Sequence, residues 1–379
     1  MAGPLAGMRV IELAGIGPGP FCGMLLGDLG ADVVVIERPL PAGPEAALVD
    51  NGMLRRNRRS LVADLKSPGS ADMVLDLVRE ADIIFEGMRP GVAERLGVGP
   101  EACLAVNPRV VYGRMTGWGQ HGPLARRAGH DLNYISMTGV LNLIGHDRPA
   151  PPLNLVGDFG GGAMLLAVGL LAAVTHARTT GEGQVVDAAM FDGTNLLMTM
   201  FWDAYSKGSW IDRRASNILN DGSPFNTVYQ CRDGSWLAVA PIEPQFRERM
   251  MSLMELTIEP GELGLDREMW PALEAKLRTA FASRDRDEWL RLLSGSDTCV
   301  TPVLGLDEVP LTAHARARGS FLPAPRGGQQ PAPAPRFSVT TPADPALPPA
   351  YGADTDTVLA EIGYSPERIA CLREVGAIS

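Results

Sequence analysis

The chain has 379 residues, 45% hydrophobic and 21% charged, with a formal net charge of −10. That length can bury a large core and suits two domains. The acidic balance argues against a general nucleic-acid binder, which needs a basic footprint, so an anionic ligand must be met by a local basic patch.

Met1-Ala2-Gly3-Pro4 shows neither the basic start nor the apolar stretch of a secretory signal. Met8 to Leu13 reads as a buried strand, followed by the loop Ala14-Gly15-Ile16-Gly17-Pro18-Gly19-Pro20, a helix to about Gly30, and a second strand from Asp32 to Ile36. This order imitates a dinucleotide-binding unit, but the glycine spacing fails. Counted from Gly15, the third glycine falls on Pro20; counted from Gly17, it falls on Cys22. Pro18 and Pro20 also bring no N–H to a pyrophosphate. A parallel α/β unit with a tight turn is the better reading. Arg38, at the carboxyl end of the second strand, suits a phosphate or a purine face.

Arg55-Arg56-Asn57-Arg58-Arg59 is the one dense basic cluster, leading into the strand-like stretch from Ser60 through Ala63, Asp64, Leu65 and Lys66. It reads either as a solvated charge run or as a collar for a polyphosphate. Ser67-Pro68 opens a helix to Glu80. Asp82 to Glu86 is a strand closed by Met88-Arg89-Pro90-Gly91, and Arg109 to Met115 is another, after a short helix near 101–106. Strands alternating with helices imply a largely parallel sheet with helices on its faces. Thr116 to Pro123 is then a glycine-rich loop at a strand's carboxyl end, where open α/β sheets bind ligands.

Two stretches that follow carry the candidate chemistry. Gly129-His130-Asp131-Leu132-Asn133-Tyr134 offers an acid/base histidine with an acidic neighbour. Pro152-Leu153-Asn154-Leu155-Val156-Gly157-Asp158, followed by Phe159 and three glycines, sets an aspartate at the mouth of a helix. Each has a plain structural reading, the histidine as an ordinary polar residue and the aspartate as a cap. The helix start also favours negative charge, and its N–H groups could hold a developing oxyanion. The apolar run 163–174 predicts a buried helix, too short to span a bilayer. Gln184 to Asp187 reads as a strand, and a Met-rich helix follows.

The texture changes near 215. Thr227 to Cys231 and Ser235 to Ala240 read as a β-hairpin, Glu243-Pro244 starts a helix, and amphipathic helices near 270–281 and 285–294 precede a strand at Cys299 to Leu304. Met198, Met200, Met250, Met251 and Met254 read either as core filling or as an adaptable apolar surface. Residues 322–350, rich in Pro and Ala, predict an extended tether, and Ser365-Pro366-Glu367 a capped helix start. The domains expected are 1–200, 215–320, and a tether with C-terminal helix over 321–379. Five cysteines without a C-x-x-C pair, and an end that is not a peroxisomal address, make the cytoplasm the expected compartment. No serine lies in a G-x-S-x-G elbow, and neither H-E-x-x-H nor C-x-x-C suggests a metal.

Taken together, Val10-Ile11-Glu12-Leu13-Ala14-Gly15, Gly27-Asp28-Leu29-Gly30-Ala31-Asp32, Ala63-Asp64-Leu65-Lys66, the two stretches around His130 and Asp158, and Ile242-Glu243-Pro244-Gln245-Phe246 resemble the α-methylacyl-CoA racemases of the family III CoA transferase superfamily over nearly the whole chain. The resemblance implies a Rossmann-like parallel-sheet large domain, a smaller α/β domain and an interlocked homodimer. It implies that His130 and Asp158 exchange a proton across the α-carbon of a 2-methyl-branched acyl-CoA. Glu243 would orient His130, Asn154 would orient Asp158, Asp131 would stand behind them, and the Asp158 N–H would hold the enolate. Arg38, Ala63 to Lys66, Arg89, Gly129 and Tyr134 would bind the CoA, and the resemblance favours the collar reading of Arg55 to Arg59. No separate cofactor, metal, nucleic acid or membrane is implied. The alternative on the same fold is a CoA transferase with Asp158 as nucleophile, which His130 argues against. The segment Leu219-Asn220-Asp221-Gly222-Ser223-Pro224-Phe225-Asn226 departs from the racemase pattern, in which a second glycine stands at 221 and an aromatic pair follows the proline.

Overall fold

Six short strands rich in Val and Ile form the centre of the first unit: β1 (Arg9–Leu13), β2 (Asp32–Glu37), β3 (Arg58–Val62), β4 (Ile83–Glu86), β5 (Val111–Thr116) and β6 (Val185–Ala189). They pair in parallel in the order β3-β2-β1-β4-β5-β6. Parallel strands covered on both faces read as continuous apolar runs, which is why the sequence displays them so clearly. Adjacent residues go to opposite faces. Ile11, Val34, Ile84 and Tyr112 join one core, and Val10, Val33, Ile83 and Val111 join the other. The computed structural model describes every residue except 1–2, 40–51, 258, 260, 262–265 and 326.

The first core is covered by the helices Ser70–Val78, Thr355–Glu361 and Pro366–Glu374. The second is covered by Pro18–Asp28 and by a continuous helix from Leu155 to Thr180, π-helical to Met164 and α-helical beyond. That helix starts earlier and is less buried than its apolar run suggests. Its 26 residues are long and apolar enough to cross a membrane by length and composition, which corrects the shorter span read from residues 163–174. Ala163, Leu166, Leu170, Ala173, Val174 and Ala177 pack on the sheet, while Met164 and Val168 face outward with 53% and 62% exposure.

The two units are interleaved in sequence. The first comprises 1–138, 153–198 and 319–379; the second comprises 139–152 and 199–318. In the second, β7 (Thr227–Gln230) and β8 (Trp236–Val239) form the expected hairpin, and β9 (Val300–Pro302) pairs antiparallel on the far side of β8. Helices Pro244–Leu253, Trp270–Phe281 and Arg286–Leu293 pack there around Phe281 and Trp289. Met250, Met251 and Met254 lie in this core, so the core-filling reading holds for them. The Pro-rich stretch is extended but carries a small hairpin, β10 (Phe321–Pro323) with β11 (Gln329–Pro331). Ser365 caps the last helix, its Oγ accepting the Arg368 N–H at 3.3 Å.

Candidate active site

In a sheet of this order the direction in which the chain adds strands reverses between β1 and β4, and loops leaving their carboxyl ends open a crevice. A cavity of about 530 Å³ lies there. Gly15 to Gly19 follow β1, Gly87 to Pro90 follow β4, and Thr116 to Trp118 close β5 and follow it; all line the cavity. His130, Asp158, Asn154, Gly129, Tyr134 and Arg89 line it too, so six of the residues singled out in the sequence come together in one place.

His130 precedes the helix Asp131–Ser136 and is fixed through its backbone. Its N–H donates to Asn133 Oδ1 at 3.0 Å, and its carbonyl accepts from Asn133 and Tyr134. The imidazole is left exposed to the cavity. Asp158 is held differently. It is the fourth residue of the helix that starts at Leu155, with Asn154 in the preceding cap position. Asn154 Nδ2 donates to Asp158 Oδ2 at 3.1 Å. Burial pushes the Asp158 carboxyl above its ordinary range, the Asn154 hydrogen bond pulls it back, the Asp131 charge adds to the rise and the His130 charge opposes it. The Asp158 carboxyl therefore senses the charge of His130.

Asp131 is buried at 8% exposure, and its Oδ1 accepts the Asp158 N–H at 2.7 Å. This corrects one expectation: the Asp158 N–H is spent on Asp131 and is not free to hold an enolate oxygen. Gly157 makes the contact possible, since a Cβ there would stand 2.4 Å from Asp131 Oδ1. Gly17 plays a part that the glycine-loop reading missed. At φ 66° a Cβ on it would lie 2.8 Å from Asp158 Oδ2, so the first loop packs its bare backbone against the carboxylate. Gly117 and Gly129 make room for Tyr134, whose hydroxyl donates to the Gly129 carbonyl and whose ring meets Trp118 edge-on at 4.8 Å. Burial and the Asp158 charge push the Tyr134 hydroxyl up, against the pull of Arg89. Trp118 and Arg127 also line the cavity; neither stood out in the sequence beyond its place near the glycine loop and the histidine.

The arginine collar is corrected. Arg55 makes two bonds to Glu37, at 3.0 and 2.9 Å. Arg56 bonds Asp28, Gln330 and the Pro331 carbonyl. Arg58 is buried with Glu12, at 2.6 Å, and donates to the Pro20 and Leu54 carbonyls. Arg59 bridges Asp32 and Glu361. All four guanidinium groups are committed within the chain. Arg38 is exposed after β2, and Ala63 to Lys66 follow β3, both at the carboxyl edge of the sheet. Ala63 is buried and bridges Ile378, Asp64 Oδ1 accepts the Lys66 N–H at 3.0 Å, and Leu65 packs on the core. Lys66 is exposed. Glu243 lies in the second unit, exposed at the cap position of Pro244–Leu253, with its charge felt by Arg247 and Cys299. Among the described residues no three His, Cys, Asp or Glu side chains converge as metal ligands.

A parallel sheet with a histidine and an aspartate lining a cavity at its switch point defines the class only as an α/β protein. Comparison narrows it: the chain belongs to the CoA-transferase family III, whose model matches residues 5–355. It is 40% identical over 371 residues to the alpha-methylacyl-CoA racemase of Homo sapiens, covering 96% of this chain and 95% of that protein. It is 33% identical over 271 residues to the succinyl-CoA–D-citramalate CoA-transferase of Chloroflexus aurantiacus, covering 68% and 67%. Among solved structures, a CaiB/BaiF family protein from Brucella suis superposes with a TM-score of 0.79 at 26% identity, over 96% of this chain and all of that one.

Proposed function

We propose that the protein is an isomerase that interconverts the (2R) and (2S) epimers of 2-methylacyl-CoA thioesters by proton transfer between His130 and Asp158. The observation that carries this reading is that both side chains line one cavity, with the His130 charge acting on the Asp158 carboxyl. The 40% identity to racemases over nearly the full chain supports it. One residue removes the α-proton and the other delivers a proton to the opposite face. Burial raises the Asp158 carboxyl, which favours its protonated form, and His130 presents its imidazole to the same cavity.

Arg89 and Arg38, with Lys66, would hold the CoA phosphates and adenine, and Tyr134 and Gly129 would shape the entrance. The reaction needs no separate cofactor, since CoA is part of the substrate. The exposed apolar residues of the first unit, among them Leu155, Met164, Val168, Leu196 and Leu197, form a surface that a second copy would bury in a dimer.

The test is exchange in D₂O. Each epimer of a 2-methylacyl-CoA should incorporate deuterium at the α-carbon and converge on the same mixture. The transferase relative favours one competing outcome, in which CoA moves to an added carboxylate without exchange and Asp158 acts as the nucleophile. That result would replace the racemase reading.

A further inference from the structure

His130 and Asp158 are joined by a stretch of chain that leaves the first unit after Thr138 and returns to it at Leu153. This excursion, residues 139–152, begins with one helical turn, Val140–Leu143, and closes on itself where the Ala150 N–H donates to the Ile144 carbonyl at 3.0 Å. It is tied to residues 212–221 of the same unit. Arg214 Nε donates to the His146 carbonyl at 2.9 Å, and Nη1 donates to the Asn142 carbonyl at 3.1 Å and to Asn142 Oδ1 at 3.0 Å. Asn142 Nδ2 donates to Asp212 Oδ1 at 3.3 Å. His146 Nε2 pairs with Asp221 Oδ2, and the other oxygen of Asp221 accepts from the Thr227 hydroxyl.

Asp221 makes these contacts at φ 66°, in the left-handed region that glycine enters freely and other residues enter at a cost. It is also one of the residues that set this chain apart from the racemase pattern. Asn220 and Asn226 turn inward on the loop itself: Asn220 Oδ1 accepts the Asn217 N–H at 2.7 Å, and Asn226 Nδ2 donates to the Ile218 carbonyl at 2.8 Å. Asp221 alone of the three reaches out to the excursion. A strained residue that persists with its side chain fully engaged points to a role for that side chain.

We infer that Arg214 and the His146–Asp221 pair are positioning residues for the proton transfer, holding the segment that joins the two acid/base residues. The inference rests on the racemase reading. Neither group touches the reacting carbon; they act by limiting the freedom of the chain that delivers Asn154 and Asp158. Displacing a reacting group by about 1 Å can cost on the order of a hundredfold in rate, so a slack connection lowers kcat more than it weakens CoA binding.

The experiment measures α-proton exchange in D₂O for Arg214→Ala, Arg214→Lys, the single exchanges His146→Asp and Asp221→His, and the two exchanges together. Arg214→Ala should lower kcat by about tenfold or more with KM little changed. Arg214→Lys should recover little of that loss, because a single ammonium nitrogen cannot span acceptors that the guanidinium reaches from Nε and Nη1. Each single exchange should cost up to about fivefold, the scale of an exposed ion pair. The double exchange should restore most of it, since histidine also tolerates the left-handed region at 221. Amide hydrogen exchange at residues 153–158 should quicken in Arg214→Ala and Asp221→His, and this readout needs no activity. Unchanged protection there, or wild-type kcat in Arg214→Ala, overturns the inference. A wild-type enzyme that moves CoA without exchanging the α-proton overturns the racemase reading instead, and leaves the protection data to decide the positioning role.

Discussion

Asp158 shows how little of a candidate acid/base residue's character lies in its identity. Burial and Asp131 raise its carboxyl, while Asn154 and His130 pull it back. Replacing Asn154 by Ala removes a donor to the ionised form, so the Asp158 limb of the pH–rate profile should move to higher pH, as kcat/KM against pH would show. His130→Ala and Asp158→Asn should each lower exchange by about 10²–10⁴-fold with CoA affinity largely kept, measured by calorimetry with a CoA ester. Gly17→Ala should also lower kcat, by tenfold or more. Its Cβ would press on Asp158 Oδ2, and its φ of 66° adds about 1–2 kcal/mol of backbone cost. That His130 and Asp158 belong to one site was legible because both motifs stand in polar, glycine-bearing stretches. The use of the Asp158 N–H was not, because it depends on where a π-helical first turn presents its backbone to a residue 27 positions earlier.

At the scale of elements, β3 and its approach carry the lesson of the arginines. Arg55, Arg56, Arg58 and Arg59 look like a ligand patch in the chain. Their partners Glu37, Asp28, Glu12 and Asp32 lie on or beside β1 and β2, and only parallel pairing brings them near. Strand positions can be read from apolar runs; the partner across a strand pair cannot. Glu86, at the end of β4, is buried, and its carboxylate accepts the Met88 N–H in the turn that carries Arg89. Burial pushes it up to about 7, with that N–H and Arg114 pulling down and Glu94 and Asp187 pushing up. The unfolded chain releases this proton near 4.5, so folding takes up a proton between about pH 4.5 and 7. Stability should therefore fall as pH rises through that window. Glu86→Gln should flatten part of the slope and gain on the order of 1–3 kcal/mol over wild type at pH 8, by urea unfolding at pH 5 and pH 8. Burial pushes Glu12 up to about 7 as well, but its partner Arg58 would be stranded by the same substitution, so Glu12→Gln should lose stability instead.

For the whole molecule, the exposed apolar helix face and the closing C-terminal segment make separate predictions. Val168→Glu should shift an assembled species toward the mass of a single chain in sedimentation while leaving the far-ultraviolet spectrum unchanged, because Val168 faces outward from the sheet. Val358, Leu359, Ile369 and Ile378 complete the first core, so a chain ending at residue 354 should be insoluble or strongly destabilised. The same closing segment has a consequence in time. Arg59 and its partner Glu361 are 302 residues apart. At about 5–20 residues per second, a ribosome needs about 15–60 s to make the chain between them. During that interval Ile11, Val34, Ile36 and Leu61 have been synthesised, but the helices Thr355–Glu361 and Pro366–Glu374, which will help to cover their face, have not. The second unit is made within the same interval. The sheet that holds the candidate site therefore starts first and finishes last, and its half-covered face is the surface a chaperone would meet on the nascent chain.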